Sequence, residues 1–188
     1  MRLDGALPCP EIRAQLAKHA ESVVRLLRRA QSFGSVIIIT NAEDGWVELS
    51  AKRFMPSVLD ALKDVRVLSA RSTYEKHDPR PTHWKVRAFR TEIDTRFSGC
   101  SSDAESLQKN VLSFGDSIHE REALRACTRT MVRTMTKSVK FVDRPSLEQL
   151  KRQVDLVFSC FDDIVRHKGD LDLMLTIQLL LQSGGVSS

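Results

Sequence analysis

From Glu11 onward apolar residues recur every three or four positions. Ile12, Leu16, Ala20, Val23, Leu26, Leu27 and Ala30 fall on one face, which predicts an amphipathic helix ended by Gly34. The run 36–39, Val-Ile-Ile-Ile, is β-branched throughout and does not alternate. Such a run predicts a strand covered on both faces, as in a parallel sheet. A second helical pattern follows Asp44-Gly45 and reaches about residue 63, with Pro56 predicting a kink or a break. The stretch 65–69 reads as a strand, 70–81 as a charged, proline-containing loop, and 82–97 as a helix. A polar loop, 98–103, precedes a short apolar strand at 111–114 that stops at Gly115, and a helix is expected from 117 to about 135. The last strand expected is 139–142. Pro145 and Ser146 then open a long helix to about 167, and Gly169 separates it from a final Leu-rich helix, 170–182, capped by Asp170.

Helices alternating with buried strands predict an α/β fold, a doubly wound, Rossmann-like parallel sheet flanked by helices. No linker, repeat or low-complexity segment divides the chain. The expectation is a single domain over 1–188, with an irregular lead-in at 1–10, C-terminal helices over 145–182 and a tail at 183–188.

Composition changes this picture little. Apolar residues make up 41% and charged residues 28% of the chain, ordinary values for a globular protein. The net charge of +5 comes from dispersed lysines and arginines rather than a basic block. With no aromatic and basic module beside it, this pattern does not point to nucleic acid. Cys9, Cys100, Cys127 and Cys160 lie far apart without metal-ligand spacing, so reduced thiols in a cytoplasmic setting are expected. No apolar run has the length of a membrane span, and no signal-peptide core precedes the first helix.

Candidate chemistry is sought at the carboxyl ends of the strands, where open α/β sheets bind ligands. The first strand delivers Thr40 and Asn41, and the second Ser69 and Arg71. The third delivers Asp116 and, four positions on, Glu120. Lys85 stands near the start of the helix between the second and third strands. Two readings of Asp116 and Glu120 remain open. They share a face of the first helical turn and would suit Mg²⁺, or they only cap that turn electrostatically. A hydroxyl, a lysine and metal-binding carboxylates are together what phosphoryl transfer requires.

In their order, the segments ITNAEDGW with Thr40, PTHWK with Lys85, and GDSIHE with Asp116 and Glu120 resemble the haloacid dehalogenase superfamily, and a eukaryotic group within it. The resemblance spans roughly 11–142 and implies a Mg²⁺-dependent phosphohydrolase or phosphotransferase acting through an aspartyl-phosphate. It implies that Thr40, Asn41 and Lys85 bind phosphate, that Thr40 and Lys85 serve catalysis, and that Asp116 and Glu120 hold the metal. The partner implied is a phosphorylated small molecule or protein. That family begins with a central strand ending in Asp-x-Asp, whose first Asp is the nucleophile. Nothing before Ile12 matches it, and the one Asp-x-Asp in the chain, Asp170-Leu171-Asp172, follows no strand pattern. The expectation is therefore a core without its central first strand and without the nucleophile: inactive as given, or a non-catalytic binding module. The strands at 36–39 and 111–114 would then pair directly, leave a gap, or take a strand from a partner or another copy.

Overall fold

The computed structural model describes residues 8–97 and 108–183. The polar loop at 98–103, Cys100 and most of the lead-in and tail lie outside the described residues. In chain order the elements are α1 (Pro10–Gln31), β1 (Ile37–Thr40), α2 (Trp46–Phe54), a 3₁₀ turn (Pro56–Val58), α3 (Leu59–Leu62), β2 (Arg66–Ser69), α4 (Ala70–Tyr74) and α5 (Pro81–Phe97). They continue with β3 (Lys109–Gly115), α6 (Ile118–Thr128), β4 (Thr134–Lys140), α7 (Leu147–Arg166), β5 (Leu171–Met174) and α8 (Ile177–Ser183). Pro56 breaks the second helix as its chemistry requires, because it supplies no N–H to continue the α2 ladder.

The strands form two parallel sheets. β1 pairs with β2, in register from Ile37 opposite Arg66 to Thr40 opposite Ser69. β3 pairs with β4 over Lys109–Gly115 and Thr134–Lys140, and β4 pairs with β5. Among the described residues no ladder joins β1 to β3.

Helices cover both faces. On one face, α1 packs along α7 and against the 3₁₀ turn and α3. Its Val23, Val24 and Leu27 meet Ile38 in the core built on Ala20, Val58, Leu62 and Val65. Its Leu26 and Ala30 enter the other core, with Leu112, Phe114, Val139, Val157 and Phe161. α1 thus lies across both sheets. On the opposite face α5 packs on β1 and α4, while α6 packs on β3 and β4, and the two helices pack on each other.

The elements correct several sequence expectations. Residues 70–74 are helical rather than loop, because the Ser69 hydroxyl accepts from the Ser72 N–H and caps the turn. The helix after β3 stops at Thr128, not near 135, and β4 begins at Thr134 rather than 139. Pro145 precedes α7 rather than opening it, since Ser146 is its N-cap. Residues 170–182 are not one helix but an edge strand and a short helix. Asp170 caps no helix; its carboxylate accepts from the Thr136 N–H at 2.7 Å.

Candidate functional site

The turn between β3 and α6 brings the site together. Gly115 ends β3, and Ser117 is the N-cap of α6. Ser117 accepts from the His119 N–H at 3.1 Å, and the Glu120 carboxylate accepts from the Ser117 N–H at 3.0 Å, a complete capping box. The helix starts at Ile118, so Asp116 lies outside the first turn and does not share its face with Glu120. Gly115 makes room for this arrangement. A Cβ there would approach the Glu120 Cγ to 2.7 Å, closer than any side chain tolerates.

Lys85, in the first turns of α5, forms an ion pair with the second oxygen of Glu120. Both side chains are largely buried, at 13% and 10% exposure, so the pair joins α5 to α6 away from bulk water. Burial pushes the Lys85 ammonium below the ordinary lysine range, and the nearby negative charge of Asp116 opposes that shift. Asp116 is exposed, and its carbonyl oxygen accepts from the Lys140 ammonium at 3.0 Å. Lys85, Asp116 and Glu120 are therefore neighbours at the carboxyl edge of β3.

The end of β1 lies against α5, the helix that carries Lys85. Ile39 packs against the buried cluster of Ala70, Trp84 and Ala88, and Trp84 is the residue before Lys85. The Thr40 hydroxyl accepts from the Ala42 N–H at 3.0 Å, which leaves its own proton to donate. The buried Asn41 Oδ1 has no hydrogen-bond partner among the described residues. Ser69 is fully engaged, donating to the Ala42 carbonyl at 2.6 Å while it caps α4. Arg71 pairs with Glu75 at 3.1 Å and is a surface residue.

The donor set fits Mg²⁺ only in part. Both Glu120 oxygens are occupied by the Ser117 N–H and by Lys85, which leaves Asp116 as the one free carboxylate. Among the described residues no group of three or more His, Cys, Asp and Glu could hold a metal. One carboxylate with phosphate oxygens and water is a known Mg²⁺ environment, whereas Glu120 is already engaged by the Ser117 N–H and Lys85. The Asp-x-Asp at 170–172 is no substitute. Asp170 is held by Thr136, and Asp172 lies within β5, paired with Arg121 and Arg125.

Sequence reasoning missed Lys140. Its ammonium also reaches the Phe141 carbonyl at 3.1 Å and Asp143 at 2.9 Å, closing the edge beside Asp116. The signal for it was the end of a strand, which the displaced boundary of β4 concealed.

These elements define a mixed α/β protein with small parallel sheets flanked by helices, an arrangement compatible with a Rossmann-like fold. No helix among the described residues is long and apolar enough to cross a membrane. No family model matches the chain, and neither a curated protein nor a solved structure does.

Proposed function

We propose that this chain is a module of the haloacid dehalogenase type that recognises a phosphoryl group together with Mg²⁺ and, in the form given, does not turn it over. The observation that supports this reading is the convergence of Lys85 and Asp116 at the carboxyl edge, beside the strand end that carries Thr40 and Asn41. Charge decides how a ligand would enter. Lys85 is flanked by two carboxylates, so a phosphate alone would add negative charge to a site already net negative. A divalent cation on Asp116 would offset it, while Thr40 and Lys85 would donate to phosphoryl oxygens. The Asp-x-Asp at 170–172 supplies no aspartyl nucleophile to this site, because both of its carboxylates are engaged elsewhere.

Calorimetry with inorganic phosphate, with and without Mg²⁺, tests the binding. Heat is expected only when both are present, and Asp116→Asn should abolish it. Absence of heat under every condition would leave the fold with a purely structural role. Metal-dependent hydrolysis of p-nitrophenyl phosphate that disappears in Asp116→Ala would refute the non-catalytic reading.

A further inference from the structure

α6 packs on β3 and β4, while β5 extends that sheet past them as an edge strand. Between the helix and β5 lies a cavity of about 320 Å³, walled by the last turn of α6 and by residues 170–172. Thr136 and Ser138 of β4 form its floor. Alternation along β4 sends these two toward α6, and Lys137 and Val139 toward α7. The floor lies in register with Val111 and Ser113 of β3, short of the carboxyl edge that carries Asp116. Two arginines and two aspartates line the cavity. Asp172 is spent on Arg125, and on Arg121 from outside the cavity. Asp170 gives Oδ1 to the Thr136 N–H but has no ion-pair partner among the described residues. Arg129 likewise pairs with no carboxylate among them. One cation and one anion thus line the same cavity without pairing with each other. The floor holds a further unspent group. Ser138 is 4% exposed, yet its hydroxyl makes no hydrogen bond among the described residues. The hydroxyls beside it are engaged: Thr136 donates to Thr128, which donates to the Leu124 carbonyl, at 2.9 Å each. A hydroxyl so buried is ordinarily paired, and the open direction here is the cavity it lines.

We infer that this cavity is a binding site for a small zwitterion of the α-amino acid type, its carboxylate on Arg129, its ammonium on Asp170, and the Ser138 hydroxyl a further polar contact. Charge selects the ligand. A plain anion would gain Arg129 but bring its charge to Asp170, and a plain cation would gain Asp170 but meet the two arginines. A molecule that carries both charges satisfies both walls. The planar guanidinium fork suits a carboxylate, and Asp170 keeps an oxygen to accept from an ammonium. The volume lies near the lower limit for ligand pockets, which favours a single amino acid over a peptide. This site shares no residue with the phosphoryl site proposed above.

Chemical-shift titration of the ¹⁵N-labelled full chain, without phosphate or Mg²⁺, provides the test. The probes are the common L-α-amino acids, one at a time. Acetate and methylammonium, which each carry one of the two charges, are the controls. At least one amino acid should move the amides of Thr136, Ser138 and Asp170 saturably, while those of Thr40 and Asp116 stay in place. Each control should bind at least about ten-fold more weakly, because it engages one wall only. Arg129→Gln and Asp170→Asn should each weaken the amino acid by about ten-fold, and Ser138→Ala by about three-fold. Asparagine keeps an oxygen for the Thr136 N–H, and Arg129 is exposed, so both variants retain the fold. Four results would overturn the inference: no saturable shift with any amino acid, acetate or methylammonium alone binding as well, shifts centred on Asp116, or an affinity unchanged in both charge variants. The comparison with the controls needs no variant at all.

Discussion

Asp78 shows how much one side chain can organise without belonging to the site. It is 3% exposed, yet it carries a charge, so its surroundings must replace water. The carboxylate accepts from the Arg80 backbone and from both ends of its guanidinium fork, at 2.9 and 3.1 Å, and meets His83 Nδ1 at 3.0 Å. Its carbonyl accepts from the buried Trp84 indole at 2.5 Å. One aspartate therefore fixes the entry into α5, and with it the position of Lys85. Hydrogen bonds from Arg80, opposed by burial, hold its pKa well below the ordinary carboxylate range. The direction of the pH effect follows. The unfolded chain takes up this proton near pH 4, before the folded chain does, so the contribution is complete above about pH 4 and declines as the pH falls further. Asp78→Asn should be less stable than the parent at pH 6, and the two should converge between about pH 4 and 2 in urea-unfolding midpoints. Curves that stay parallel through that range would assign the acid sensitivity to other carboxylates.

At the scale of elements, two helices begin with the same device under different loads. α7 opens with Ser146 and Gln149, and α6 with Ser117 and Glu120, each a complete capping box. Gln149 is needed only locally, whereas Glu120 also receives Lys85 from α5. Removing Gln149 should cost about 0.5–1 kcal/mol, the worth of a cap. Glu120→Ala leaves a buried lysine without its partner and should cost about 3 kcal/mol. Urea unfolding of the two variants gives the comparison; equal losses would mean that the Lys85 pair contributes nothing beyond the cap. This double use also shows where the sequence was legible. The carboxyl-edge rule brought Lys85, Asp116 and Glu120 into one neighbourhood, but Glu120 suits a capping box with Ser117, three positions before it, as readily as a metal pair with Asp116, four before it. Only the position of Ser117 against the helix start separates them. β4 was misplaced for a related reason. Its Thr-Met-Thr-Lys-Ser run looks like surface, yet Lys137 is fully buried because its ammonium donates to the Val165 carbonyl at 2.8 Å. A polar residue spent on the end of α7 is invisible to hydrophobic periodicity. β5 was hidden inside an apolar run, where its four residues, Leu171–Met174, are a strand only because β4 offers an edge.

For the whole molecule the question is whether two sheets without a shared ladder behave as one folding unit. The connection rests on α1, which lies across both cores, on the packing of α5 against α6, and on the Lys85–Glu120 pair. Consecutive residues of α1 load different halves: Leu26 packs against the core of Phe161 and Val139, and Leu27 against that of Ala20 and Val58. The fluorescent probes are one-sided, because Trp46 and Trp84 both belong to the half containing β1 and β2. Each leucine is half-buried, so truncation to Ala should cost about 2 kcal/mol, the low end for a core leucine. If the helices couple the halves, Leu26→Ala and Leu27→Ala should each shift the tryptophan and far-ultraviolet circular dichroism transitions together. The remote Leu26 change should then be felt by tryptophans that it does not touch. If the helices leave the halves uncoupled, Leu27→Ala alone should move the fluorescence transition, and the two probes should separate. Coincidence is the expected result, because a helix that buries adjacent side chains in two cores cannot leave one without exposing apolar surface in the other.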